Sequence, residues 1–179
     1  QELQGLDEAN EVQQLPVSES YEKDIEAIRS GVIEKYHEEI KDLIGKDEHR
    51  KTLMGYVETV VREKFPQYIS KAYLERIYQD IFEFAFINSY LNDPDFEEMN
   101  GNSWDDIEVV DSKGFYKIPE KFSSPAHAAN TIKKMMQIGG AILNEADPTL
   151  DSFIGTGLRL TASIYPVVDE EAGVVFSLR

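Results

Sequence analysis

Asp147-Pro148-Thr149-Leu150-Asp151-Ser152-Phe153-Ile154-Gly155-Thr156-Gly157-Leu158-Arg159-Leu160-Thr161-Ala162-Ser163-Ile164-Tyr165-Pro166 is the stretch from which the second half of the chain is best read. Thr149 to Ile154 and Leu158 to Tyr165 predict two strands, with the glycines at 155 and 157 turning the chain between them. Val174 to Leu178 predicts a third strand, which places Arg159 and Arg179 on neighbouring strands. Upstream, Ile107 to Val110 and Phe115 to Ile118 flank a turn at Asp111 to Gly114 and predict a hairpin. Ser123-Ser124-Pro125 opens a helix with proline in its first turn. Ala128, Ala129, Ile132, Met135, Met136 and Ile138 supply its buried side as far as Gly139-Gly140. An antiparallel sheet with one helix against it makes this half α+β.

The first half is helical in pattern. Ile25, Ile28, Val32, Tyr36, Ile40 and Leu43 recur at helical spacing, predicting an amphipathic helix over 21–44 closed by Gly45. A second helix from Asp47 carries Leu53, Tyr56, Val57, Val60 and Val61, and stops at Phe65-Pro66 because proline lacks the amide and restricts its predecessor. A third starts near Ser70, as N-cap, and is expected to end near Leu91. The division expected is an acidic flexible tail at 1–18, a helical subdomain at 21–91 and an α+β domain at 92–179.

Composition narrows the function. Thirty-four acidic against eighteen basic residues give a formal charge of −16, which repels phosphate backbones and anionic membrane surfaces, so neither nucleic acid nor membrane insertion is expected. No cysteine is present, which removes disulfides and thiolate metal sites and suits a reducing cytoplasmic compartment. The apolar runs fall short of the ~20 residues that span a bilayer, and the start at Gln1 shows no secretory signal. No Gly-x-x-x-x-Gly-Lys-Ser/Thr loop occurs, so this chain alone is not expected to hydrolyse a nucleotide.

An ordered series runs through the second half: Asp93-Pro94-Asp95-Phe96-Glu97-Glu98-Met99, Asn102, Ile107-Glu108-Val109, a helix, Glu145 with Pro148 and Asp151, then Gly157-x-Arg159 and Pro166. It resembles the N-terminal domain of the hexameric ATPases of type II and type IV secretion and of tight-adherence pilus assembly. The resemblance covers roughly 70–179. It implies a PAS-like sheet and helices, followed by a linker and a RecA-like motor domain that carries the phosphate-binding loop; this chain ends where that linker is expected. It also implies that Arg159 and Arg179 are the arginines that approach the phosphates of ATP bound on the motor domain. ATP and Mg then belong to the full-length parent, with no cofactor expected on this fragment. The implied partners are the motor domain, neighbouring subunits of a homo-hexamer and an inner-membrane platform protein, at the cytoplasmic face of the cell membrane.

The chain departs from the family pattern at several points. Phe153-Ile154-Gly155-Thr156 stands where the family often has an arginine and Pro-Asp before the turn glycine. Val167 replaces a second proline, Asn102-Ser103 an Asn-Gly, Ala141-Ile142 a basic pair and Asn144 an aspartate.

Each feature also has a plainer reading. Arg159 and Arg179 can be strand-edge cations paired with carboxylates such as Asp151 or Asp169. His37-Glu38-Glu39-Ile40-Lys41 begins like a zinc-binding His-Glu-x-x-His helix, but Lys41 takes the second histidine's place and the stretch reads as a solvated helix face. His49 and His127 read as structural or exposed. Asp93 to Glu98 and Asp169 to Glu171 read as solvated loops rather than acid/base machinery. Trp104 reads as a lid on the core, and Met135, Met136, Phe82, Phe84 and Phe86 as core filling. A free-standing PAS-like module that senses a small ligand or binds another protein is the alternative function.

Overall fold

A computed structural model describes residues 19–179, so the expectation of a flexible tail at 1–18 lies outside the described residues. The chain forms two compact units, of which the first comprises 48–83 and the preceding chain up to 38, and the second 39–47 with 84–179.

The first unit is helical. Helix α1 (Glu19–Leu43) begins in it, followed by a 3-10 turn at Asp47–His49, α2 (Arg50–Lys64), a second 3-10 turn at Pro66–Tyr68 and α3 (Lys71–Phe82). The helical periodicity of the sequence becomes a core in which Ile28, Val32, Leu53, Val57, Val61, Ile77 and Ile81 are almost wholly removed from solvent. Burying such a side chain stabilises the fold by about 1.5–3 kcal/mol. Ser70 caps α3, its hydroxyl accepting a hydrogen bond from the Tyr73 amide. Tyrosines at the same core end on carboxylates: the Tyr21 hydroxyl donates to Asp80 (2.7 Å) and the Tyr68 hydroxyl to Asp24 (2.7 Å). The single regular helix expected over 21–44 is kinked, with non-helical torsions at Tyr36 (φ −122°, ψ 23°), whose ring stacks on Tyr56 at 4.1 Å.

The helix expected to run from Ser70 to Leu91 is broken. α3 stops at Phe82, the chain turns through Ala85 at φ 53°, and a short helix α4 (Ile87–Leu91) follows. The Asn88 side chain accepts a hydrogen bond from the Phe84 amide and so holds the break. This is where the chain leaves the first unit and enters the second. The apolar residues between Ser70 and Leu91 thus form two segments serving different cores.

The second unit is a six-stranded antiparallel sheet in the order β3-β2-β1-β6-β5-β4, formed by β1 (Phe96–Ser103), β2 (Asp106–Asp111), β3 (Gly114–Lys117), β4 (Thr149–Gly155), β5 (Leu158–Ile164) and β6 (Val174–Leu178). Helix α5 (Pro125–Ile138), capped by the Ser124 hydroxyl on the His127 amide, lies against β4, β5 and β6. The architecture is α+β, with a helical region followed by a sheet and its packed helix. The expected hairpin is β2–β3, and the three C-terminal strands fall where the pattern predicts.

Strand β1 is the element that the sequence reading passed over. Phe96-Glu97-Glu98-Met99-Asn100-Gly101-Asn102-Ser103 is too polar to read as a strand, yet it is central, pairing with both β2 and β6. Only Met99 and Gly101 of this strand are buried. Gly101 has no side chain because the Phe176 ring occupies that volume: a Cβ built there meets Phe176 Cε1 at 2.1 Å.

Period-two alternation divides the sheet into two faces. Met99, Ile107, Val109, Leu160, Ala162, Ile164, Val174, Phe176 and Leu178 are buried on the face that α5 covers with Ala128, Ile132, Met135 and Met136. Glu98, Asn100, Glu108, Arg159, Thr161, Ser163 and Ser177 alternate with them and lie on the other face.

Candidate functional site at the arginine face of the sheet

The site grows from the β4–β5 turn. Gly155 pairs with Leu158, and between them Thr156 and Gly157 make the reversal, Gly157 at φ 71°. Glycine takes that left-handed conformation without a Cβ penalty. The turn is fastened to the last turn of α1, which belongs to the same unit. The Thr156 amide donates to the Lys41 carbonyl (2.8 Å) and the Thr156 hydroxyl donates to Asp42. A Cβ on Gly155 would sit 2.8 Å from Ile44 Cγ2 and 3.1 Å from the Lys41 carbonyl. Gly155 and Thr156 are thus the residues that seat the turn on α1.

Register then sets the arginines. Leu160 faces Leu178 and Thr161 faces Ser177. One step back along β5, the Arg159 amide donates to the Arg179 carbonyl (2.7 Å), and the Arg179 amide returns a bond to the Arg159 carbonyl (3.0 Å). Residues directly opposed in an antiparallel pair send their side chains to the same face. That face is the one α5 leaves uncovered. The structure brings together the two arginines that the sequence singles out.

The two differ in their surroundings. Arg159 makes a two-pronged ion pair with Asp151 of β4: Nε donates to Oδ1 (2.8 Å) and Nη2 to Oδ2. The Thr161 hydroxyl also donates to Asp151 Oδ1 (3.2 Å), and the Arg159 guanidinium lies 5.8 Å from the Phe153 ring centroid. The Arg159 side chain is 50% exposed and that of Asp151 40%. Hydrogen bonding from Arg159 is the main cause holding the Asp151 carboxyl below the usual carboxylate range; partial desolvation opposes it, while Thr161 and the charges of Arg159 and Arg179 add to it. Among the described residues, the Arg179 guanidinium has no ion-pair partner. Asp169 is not the partner of either arginine.

Toward β1 and β2 the same face turns acidic and amidic. Glu98 Oε1 accepts from Asn100 (2.9 Å) and from the Ser177 hydroxyl (3.3 Å), and Asp106 pairs with Lys117 at 2.8 Å. Positive charge is thus concentrated where β5 starts and β6 ends. A guanidinium offers permanently charged donors in a planar fork that matches phosphate or carboxylate oxygens. The arrangement can bind and orient an anion.

The other candidates fall outside this site. His37 lies against Glu38 on the solvent side of α1, and His49 lies beside Glu48. His127 Nδ1 accepts from the Ser123 amide (3.1 Å) at the start of α5, which is capping. Among the described residues no cluster of three His, Cys, Asp or Glu is placed to hold a metal, and no helix is long and apolar enough to cross a membrane. Trp104 is half-buried, its amide donating to the Ala172 carbonyl and its carbonyl accepting from Phe122. Sequence reasoning missed Thr161, Phe153 and Asp42 as parts of this neighbourhood. The first two could have been found by setting the β4–β5 register from Gly157; Asp42 is a contact across 114 residues of chain.

No protein-family model matches the chain, and no curated protein matches it. Among solved structures, the chain is similar to the VirB11 ATPase from the Brucella suis type IV secretion system, solved in complex with sulphate, at 15% sequence identity and a TM-score of 0.43. That similarity covers 56% of this chain, which spans 31% of the length of the solved one.

Proposed function

We propose that the chain is the N-terminal regulatory and assembly domain of a hexameric secretion or pilus-assembly ATPase, and that Arg159 and Arg179 approach ATP held by a C-terminal motor domain. The observation that carries the reading is the pairing of these two arginines, the ones the family resemblance singles out, as directly opposed residues on the uncovered sheet face. Two guanidinium groups on one face fit a polyphosphate, because each supplies fixed positive charge and several N–H donors to its oxygens.

In this reading ATP supplies the phosphoryl chemistry, with Mg, on the motor domain. This chain's residues bind and orient. Arg159 and Arg179 offset charge on the phosphate oxygens, and the Gly155–Gly157 turn, anchored on α1, holds Arg159 in register. Rigid-body motion of the domain as ATP binds and leaves would transmit the work. Neighbouring subunits and an inner-membrane platform protein are the partners proposed for the helical unit.

The test is steady-state ATP hydrolysis by the 179-residue chain and by the longest natural reading frame that contains it. Turnover in the longer protein alone supports a motor domain outside this sequence. Turnover in neither removes the ATPase reading in favour of a ligand-sensing or protein-binding module.

A further inference from the structure

Arg159 and Arg179 face the same way, but only Arg159 is engaged: Asp151 occupies its Nε and Nη2 donors. Those are the donors that a phosphate group would take in a two-pronged contact. Asp151 is itself held for this role by the Thr161 hydroxyl across the β4–β5 register, where Asp151 and Thr161 are directly opposed. The Phe153 ring flanks the guanidinium on the same strand as Asp151.

We propose that Asp151 is a carboxylate latch on Arg159, an internal competitor that a phosphate-bearing ligand must displace before both arginines can engage it. This inference rests on the reading of Arg159 and Arg179 as phosphate-contacting residues. Arg179, whose guanidinium has no ion pair among the described residues, makes the first contact, and Arg159 then exchanges one oxyanion for another. The exchange keeps Arg159 paired in both states, so its side chain never faces the loss of a partner. Because the pair is half-exposed, the competition is modest and reversible: exposed ion pairs are weak enough for a multiply charged ligand to outcompete.

The experiment follows the arginine Nε–H signals of the 179-residue chain by NMR during titration with tripolyphosphate, for the wild type, Asp151→Asn and Glu108→Gln. Glu108→Gln removes one negative charge from the same sheet face, on β2, and so measures the effect of net charge alone. Half-saturation of the Arg159 signal at about two- to fivefold lower tripolyphosphate in Asp151→Asn, the range expected for releasing an exposed ion pair, with Glu108→Gln following the wild type, supports the latch. Equal half-saturation in wild type and Asp151→Asn, with Arg159 still responding, overturns the latch and leaves the arginine reading standing. An equal gain in both variants assigns the effect to net charge and overturns the latch. Absence of any response at Arg159 and Arg179 in all three proteins overturns both.

Discussion

Arg159 and Arg179 donate their backbone amides to each other's carbonyls across β5 and β6, at 2.7 and 3.0 Å. That reciprocal pair fixes the two side chains to one face of the sheet whatever the side chains themselves contact. Its placement depends on the β5–β6 register, in which Leu160 and Leu178 are buried opposite one another in the core. A one-residue slip of either strand would turn its leucine outward and its arginine inward, which the core does not permit.

Arg159→Ala should therefore leave the fold intact while removing the phosphate contact proposed for it. In the longer ATPase proposed above, turnover is expected to fall while the melting temperature of the variant stays within about 2 °C of the wild type, as for exposed substitutions generally. Unchanged turnover would sink the role given to Arg159.

The Asp151–Arg159 pair also has an acid signature. The folded-state pKa of Asp151 lies below its ordinary value, so the pair's contribution is complete above the usual carboxylate range and is lost as pH falls through the depressed value. Urea unfolding of wild type and Asp151→Asn from about pH 6 to about pH 2 should show a stability gap that closes at the acid end. A gap that is constant with pH would mean that the pair makes no contribution.

Gly101→Ala should destabilise the second unit by about 1–3 kcal/mol, the usual cost of overpacking, because its Cβ would overlap the Phe176 ring. That ring is itself buried and lies edge-on to Phe122, so it has little room to yield. Gly55→Ala is expected to have the opposite sign. Gly55 is inside α2 with nothing within 4 Å of a built Cβ, and alanine in a helix interior gains about 0.5–1 kcal/mol over glycine. Paired chemical denaturation curves check both signs at once.

Tyr21→Phe tests the helical unit. The Tyr21 hydroxyl donates to Asp80, and burial together with that bond pushes its phenol pKa well above the ordinary value. Removing the hydroxyl should cost about 1.5–3 kcal/mol, as for hydrogen bonds to a charged acceptor, seen as a lower urea midpoint with an unchanged slope. A midpoint equal to the wild type would show that solvent replaces the bond without loss.

Local patterns determined much of this protein. The amphipathic stripes of α1, α2 and α5, the caps at Ser70 and Ser124, the β2–β3 hairpin and the three C-terminal strands all follow from periodicity and turn chemistry, which act over a few residues. The same patterns placed Arg159 and Arg179 on neighbouring strands and named Asp151 as a possible partner.

Tertiary structure decided what no local pattern carries. Strand β1 is central because Met99 is buried opposite Leu178 and the absent side chain of Gly101 leaves room for Phe176, 75 positions away, so its polar composition concealed it. The apolar run after Ser70 was divided between two cores, which broke the expected helix at Glu83 to Phe86. The choice of Asp151 over Asp169, the reciprocal pairing of the arginines and the seating of Thr156 on Lys41 and Asp42 all depend on strand order and register. Those are set by burying one face of the whole sheet, a condition that is satisfied only when distant segments meet.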